Sequence, residues 1–182
     1  MTTDIQTTRL TLRLMDRSVI DTCMAGDLDK AGEMLGIALS DELLDHPSSL
    51  RYTLQQLNAD PLYLPWGARA IVFGQTMVGL IRFHSTPGPE YLRKYAPGGV
   101  ELGYRIFAPY RRQGFAFEAV NAMIHWAQRE FNVRHFIASI APDNIPSLQL
   151  AARLGFRKIG ESIDDVDGIE HIHHLSKTLN KC

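Results

Sequence analysis

The chain has 182 residues, 19 basic and 20 acidic side chains, a formal net charge of −1 and 45% hydrophobic residues. That length suits a single domain spanning 1–182 with a substantial core, and the near-neutral charge gives no general attraction to nucleic acid or to an anionic membrane surface. The opening residues lack the basic and apolar regions of a secretory leader, no apolar run reaches membrane-spanning length, and Cys23 and Cys182 are too few for a disulfide framework or a metal site. A cytoplasmic protein with free thiols and no nucleic-acid or membrane partner is expected, with homodimerisation left open.

In chain order, residues 7–15 alternate as a strand. Asp16 to about Leu44 carry a helical pattern with interruptions expected at Gly26, Gly32 and Gly36. Ser48 to Asn58 read as a further helix started by Ser48 or Ser49. Ala68–Phe73 and Met77–His84 read as strands joined through Gly74-Gln75, a plausible hairpin. Residues 85–99, rich in proline and glycine, mark a long loop, and such loops tend to be functional or mobile. Val100 to Phe107 form the next strand. Ala116, Ala119, Val120, Met123 and Ala127 then recur at helical spacing up to about Glu130. The short apolar run 135–141 suits a buried strand, a helix follows through Leu148, Leu150, Ala151 and Leu154 and ends at Gly155, and strands are expected near 157–163 and 169–179. The order predicts an α/β protein with helices on both faces of a mixed sheet.

The segment Arg111-Arg112-Gln113-Gly114-Phe115-Ala116 lies between a strand and a helix. The first backbone N–H groups of a helix have no partner within it and sit at its positive end. Gly114 removes a side chain where a ligand would approach the backbone, Ala116 stays small, and Arg111 and Arg112 add positive charge. Such a turn can hold a phosphate or pyrophosphate. An ordinary strand-to-helix turn with a glycine in it is equally compatible with this segment alone. The Walker loop is excluded because Gly114 precedes Phe115-Ala116 rather than Lys-Ser/Thr, and the dinucleotide fingerprint because only one of its three glycines is present.

A second constellation lies downstream, where Pro142 to Ser147 supply turn and helix-start chemistry. Together, Arg111-x-x-Gly114-x-Ala116 and Asn144-x-x-Ser147 followed by Leu154-Gly155-Phe156 resemble the GNAT superfamily of acetyl-CoA-dependent N-acetyltransferases. Thr8-Arg9-Leu10-Thr11-Leu12-Arg13 and Glu101-Leu102-Gly103-Tyr104 look like the branch that includes the ribosomal-protein N-terminal acetyltransferases. The resemblance is strong over 100–160, adequate at 7–14 and 68–84, and poor over 20–67 and 85–99.

The resemblance implies a mostly antiparallel sheet with splayed central strands, acetyl-CoA as acetyl donor, and no metal. It maps the backbone that pairs with the pantetheine arm to Ile106, Phe107 and Ala108. The pyrophosphate turn maps to Arg112, Gln113, Gly114, Phe115, Ala116 and Phe117, with Arg111 at its rim. Asn144 maps to an asparagine that pairs with pantetheine, and Ser147 to a serine near the thioester sulfur. Both also read as a plain turn residue and a helix-start residue. Many members carry a tyrosine seven residues after the asparagine, where this chain has Ala151, and some a glutamate five before it, where this chain has Ser139. Ser147 is then the remaining candidate acid. Glu101 is the remaining carboxylate near the strand, either as a base acting through water or as a structural partner.

Weak acid–base equipment bears on the acceptor. Deprotonating a lysine side chain at pH 7 costs about 4–5 kcal/mol, against about 1 kcal/mol for an α-amine. A protein or peptide α-amine, or a small amine, is therefore the expected acceptor class. A catalytically degenerate acetyl-CoA-binding sensor or interaction module is the alternative. Glu170-His171-Ile172-His173-His174 places His171 and His173 on one strand face, but no third ligand accompanies them and no metal is expected. Trp66 and Trp126 read as core or pocket-lining residues.

Overall fold

The computed structural model describes residues 4–164 and 168–178. Among them, eight strands form an open, mostly antiparallel sheet: β1 (Ile5–Gln6), β2 (Leu10–Leu14), β3 (Arg69–Phe73), β4 (Thr76–Phe83), β5 (Val100–Ile106), β6 (His135–Ile140), β7 (Arg157–Asp164) and β8 (Gly168–Ser176). Their order is β1-β2-β3-β4-β5-β6-β8-β7, and β5 with β6 is a parallel pair. The helices are α1 (Arg17–Met24), α2 (Leu28–Leu35), α3 (Glu42–Asp45), α4 (Ser48–Ala59), α5 (Phe115–Phe131) and α6 (Ile145–Leu154). This is the mixed α/β architecture that the alternating and helical patterns predict. The residues fall into two compact units, one built from the chain up to Ser85 with Gly103–Met123, the other from Thr86–Leu102 with the chain from Ile124 on.

In the first unit, Leu10 and Leu12 of β2 are buried while Thr11 between them and Arg13 after them are half-buried, as one core-facing side of a strand requires. Asp16 caps α1 by accepting from Val19 N at 3.0 Å, and that bond, aided by the Ser18 hydroxyl, holds its carboxyl below the usual range. Asp27 caps α2 through Lys30 N, and left-handed Gly36 ends it. Gly32 does not interrupt α2 as expected. The helix runs through it, and a Cβ there would lie 2.7 Å from the Ile37 carbonyl oxygen, so this glycine serves a close approach. Nor does a serine cap α4: Pro47 takes the cap position, with no side-chain bond, and Ser48 is the first helical residue. Gly74, with φ of +62°, turns the β3–β4 hairpin. Cys23 is buried in the core of this unit, and burial pushes its thiol up to about 11. Cys182 lies outside the described residues, as does Leu179 at the end of the strand expected near 169–179.

In the second unit, the loop 85–99 is packed rather than loose. It contains a single 3₁₀ turn at Glu90–Leu92, and Leu92 and Ala96 are buried against Ile137 and Ile172. A Cβ at Gly99 would stand 2.8 Å from the His135 carbonyl, so the loop lies flush against β6. Trp126 is buried edge-on to Phe131, and in the first unit Trp66 is buried edge-on to Phe83, which agrees with the core reading of both tryptophans.

The parallel ladder between β5 and β6 consists of Val100↔Phe136 and Glu101↔Ile137 alone. β5 continues to Ile106 and β6 to Ile140, where it pairs on its other edge with β8. Among the described residues, the parallel ladder ends at Glu101↔Ile137.

Candidate functional site

The first unit carries the strand end and turn. Beyond β5, a 3₁₀ turn covers Ala108–Tyr110. Two left-handed residues follow, Arg112 with φ of +60° and Gly114 with φ of +82°. Left-handed residues curl backbone N–H groups toward one side, the concavity that holds anions. Glu118 N closes the first turn of α5 onto Gly114 O at 3.1 Å, so the N–H groups of Phe115 and Ala116 precede the first bond within the helix. Arg111, Arg112, Gln113 and Gly114 are exposed and Phe115 is buried, its ring packed 5.0 Å from that of Phe73.

This turn is braced from the residues just before β2. Arg9 Nε meets Glu118 Oε2 at 2.7 Å, Arg9 N and the Thr7 hydroxyl donate to Glu118 Oε1, and Arg9 Nη1 donates to the Gln113 carbonyl at 3.1 Å. The guanidinium carbon stands 4.9 Å over the Phe115 ring. A Cβ at Gly114 would lie 3.3 Å from Arg9 Nη2. The intolerance at Gly114 therefore comes from its left-handed backbone and from the arginine behind it, in addition to any ligand in front.

The three backbone positions expected to meet a pantetheine arm all have intramolecular partners. Ile106 O accepts from Arg111 Nε at 3.0 Å. Phe107 N donates to Val78 O at 2.9 Å. Ala108 N donates to both oxygens of Glu42 on α3, at 3.0 and 2.9 Å, and Arg105 Nη2 lies 3.2 Å from the same carboxylate. Neither Glu42 nor Arg9 was predicted as a site residue. Their partners are 66 and 109 residues away, and no local pattern announces contacts of that range.

The second unit carries the candidate acid–base groups. Glu101 is buried, and Ser139 Oγ donates to its Oε1 at 2.6 Å. The position where some family members carry a glutamate thus holds a hydroxyl that grips the carboxylate of the neighbouring strand. Asn144 is the N-cap of α6, its Oδ1 accepting from Ser147 N at 3.2 Å. The cap uses one face of the amide and leaves its two N–H donors as further binding capacity. Asn144 is exposed and Ser147 half-buried, while Ala151 is buried at 4% exposure. The geometry joins Glu101 to Ser139 and Asn144 to Ser147.

The rings of His171 and His173, expected on one strand face, have their centroids 6.3 Å apart. His135 Nδ1 and His174 Nε2 are 3.0 Å apart across β6 and β8, and His173 Nδ1 bonds the His171 carbonyl oxygen. Among the described residues, no group of three or more His, Cys, Asp or Glu side chains is placed to hold a metal ion, and no helix is long and apolar enough to cross a membrane.

Comparison with known proteins agrees with this architecture. Ribosomal protein uS5-alanine N-acetyltransferase of Escherichia coli is 40% identical over 77 residues, 41% of this chain and 40% of that protein. The chain spans 35–40% of the lengths of the curated relatives it matches. Among solved structures, the ribosomal-protein-S5-alanine acetyltransferase of Vibrio fischeri superposes with a TM-score of 0.66 at 18% identity, over 99% of this chain and 100% of that one. A ribosomal L7/L12 α-N-protein acetyltransferase in complex with coenzyme A gives 0.64 at 19% identity, over 96% and 98%. Likeness at those identities concerns the fold. The family model of the acetyltransferase (GNAT) domain matches residues 9–157, a span that includes the turn, β5, β6 and the Asn144 cap, and the chain belongs to that family.

Proposed function

We propose that residues 1–182 act as one acetyl-CoA-dependent N-acetyltransferase domain acting on a primary amine, with a protein or peptide α-amine as the favoured acceptor. The observation that carries this reading is the turn with left-handed Arg112 and Gly114 at the positive end of α5, within the span that matches the family. Its convergent N–H groups and flanking arginines fit a pyrophosphate without a metal. The ribosomal-protein specificity of the E. coli relative supports the protein α-amine over other amines.

Acetyl-CoA would supply the activated acyl group as a thioester. In the direct reaction, the amine nitrogen bonds to the acetyl carbon, the carbon–sulfur bond breaks, and the thiolate leaves. On this reading, Arg112 to Phe117 hold the pyrophosphate, and Ile106, Phe107 and Ala108 lie along the pantetheine arm. Asn144 donates from its amide to that arm. Glu101, gripped by Ser139, takes the amine proton through water, and Ser147 supplies a proton to the departing sulfur. A hydroxyl is a weak acid, so alignment of amine and thioester must provide much of the acceleration.

Buried Ala151 and hydrogen-bonded Ser139 occupy positions where family members carry ionisable groups, and this favours a binding-only sensor as the second reading. One assay separates the two. Thiol release from acetyl-CoA is followed with a panel of N-terminal peptides and small amines. Turnover with any acceptor supports the enzyme; tight acetyl-CoA binding without turnover across the panel supports the sensor.

A further inference from the structure

Thr8 and Arg9 lie just before β2 and have no role in the reaction scheme above, yet Arg9 contacts Gln113, Phe115 and Glu118 around the turn. We propose that Arg9 is a positioning residue that orients the Gln113–Gly114 peptide so that the Gly114 N–H faces a bound pyrophosphate. The inference rests on the acetyl-CoA-binding reading of that turn.

Four observations carry it. Arg9 Nη1 donates to the Gln113 carbonyl at 3.1 Å. In a trans peptide the C=O and the next N–H point in opposite directions, so a carbonyl held by Arg9 turns the Gly114 N–H away from Arg9. Second, the guanidinium is itself fixed. Its Nε meets Glu118 Oε2 at 2.7 Å, its carbon lies 4.9 Å over the Phe115 ring, and Nη2 closes the space behind Gly114. Third, Glu118 is fixed in turn by the Thr7 hydroxyl at 2.6 Å and by Arg9 N at 2.7 Å. Burial works against that carboxylate, but these donors outweigh it and hold it below the usual range. Its carboxylate faces one side of the arginine as an ion pair at 2.7 Å. Fourth, the Arg9 side chain is 42% exposed, far more than a purely core-filling contact needs.

Only a guanidinium can serve all of these partners. Its planar fork reaches a carboxylate and a carbonyl at once while stacking on a ring, whereas an ammonium is a point charge on a flexible stem. Charge alone should therefore not replace it.

The test uses the full chain, calorimetric titration with acetyl-CoA, and the backbone amide resonance of Gly114. In wild type, acetyl-CoA should move the Gly114 amide proton downfield. Arg9→Ala should weaken binding about 10–100-fold, the range for losing charge-assisted hydrogen bonds, and shrink that shift. Arg9→Lys should recover less than half of the lost affinity on a logarithmic scale. Glu118→Gln, which loosens the arginine while leaving residues 111–117 unchanged, should weaken binding in the same direction and serves as the readout if Arg9→Ala does not fold. Full rescue by lysine, or an unchanged Gly114 shift in the variants, overturns the orienting role. Absence of acetyl-CoA binding by wild type would instead refute the functional reading, so the two failures are distinct.

Discussion

Gly114 combines two restrictions that a single substitution rarely separates. Its φ of +82° is costly for an L side chain, and a Cβ would crowd Arg9 at 3.3 Å. Gly114→Val should therefore weaken acetyl-CoA binding by at least about 10-fold, since a left-handed non-glycine residue alone costs about 1–2 kcal/mol. Gly114→Asn, which tolerates that backbone region better, should fold more readily while still losing affinity through its Cβ. Calorimetry on the folded variants decides, and unchanged affinity in both would remove the turn from cofactor binding. A different split is expected at Glu101 and Ser147. Glu101→Gln and Ser147→Ala should lower turnover and leave acetyl-CoA affinity within about 3-fold, as expected of groups that act on protons during reaction. Wild-type rates on an identified acceptor in both variants would leave positioning as the whole of catalysis. At this scale the sequence was partly legible. Gly114, Asn144 and Ser147 sit in short motifs whose chemistry is local. The grip of Ser139 on Glu101 was not, because it depends on parallel strands whose register nothing in the local pattern specifies.

The secondary elements were legible wherever burial follows a simple period. β2 and α5 follow their alternation or helical spacing closely, because each places one stripe of apolar side chains against a core, while β3 and β4 are apolar runs buried on both faces and joined by a glycine turn. The segment from Asp16 to Leu44 was harder. Gly32 looks like a helix breaker in isolation but is required by the backbone of Ile37 folding back on α2, a tertiary demand that overrides propensity. The proline- and glycine-rich loop 85–99 likewise reads as mobile until Leu92 and Ala96 are seen packed on β6 and β8 residues. On the acetyl-CoA-binding reading proposed above, α3 bears on the ligand. Its Glu42 occupies Ala108 N with both carboxylate oxygens, at a position assigned to the pantetheine arm. Glu42→Ala should free that donor and tighten acetyl-CoA binding about 2–10-fold, the worth of one net hydrogen bond. Weaker binding by calorimetry would mean that Glu42 shapes the strand end rather than competing for it.

For the whole molecule, an acceptor with a low-pKa amine predicts the shape of the rate profile. Activity should rise with pH through the acceptor's own titration and level off near pH 8, the α-amine range. A profile still climbing above pH 10, with lysine side chains preferred, would refute the α-amine acceptor while leaving fold and family untouched. The acid side of the same profile is governed by a different proton account. His173 and His174 are both pushed below their ordinary value of 6.5, chiefly by burial, with His135 adding repulsion at His174. Depressed folded-state values mean that the unfolded chain binds protons first as pH falls, so their contribution to stability is complete above about 6.5 and is lost progressively below it. The hydrogen bond between His135 and His174 requires a neutral ring nitrogen as its acceptor. The paired strands β6 and β8, inside the sheet, thus carry a proton-sensitive contact. Loss of activity in mild acid will mix a silent, protonated acceptor with a loosening enzyme. Thermal midpoints recorded between pH 7 and pH 5 separate them: they should fall steeply in wild type and less steeply in His174→Gln, with the alkaline limb of the rate profile unchanged.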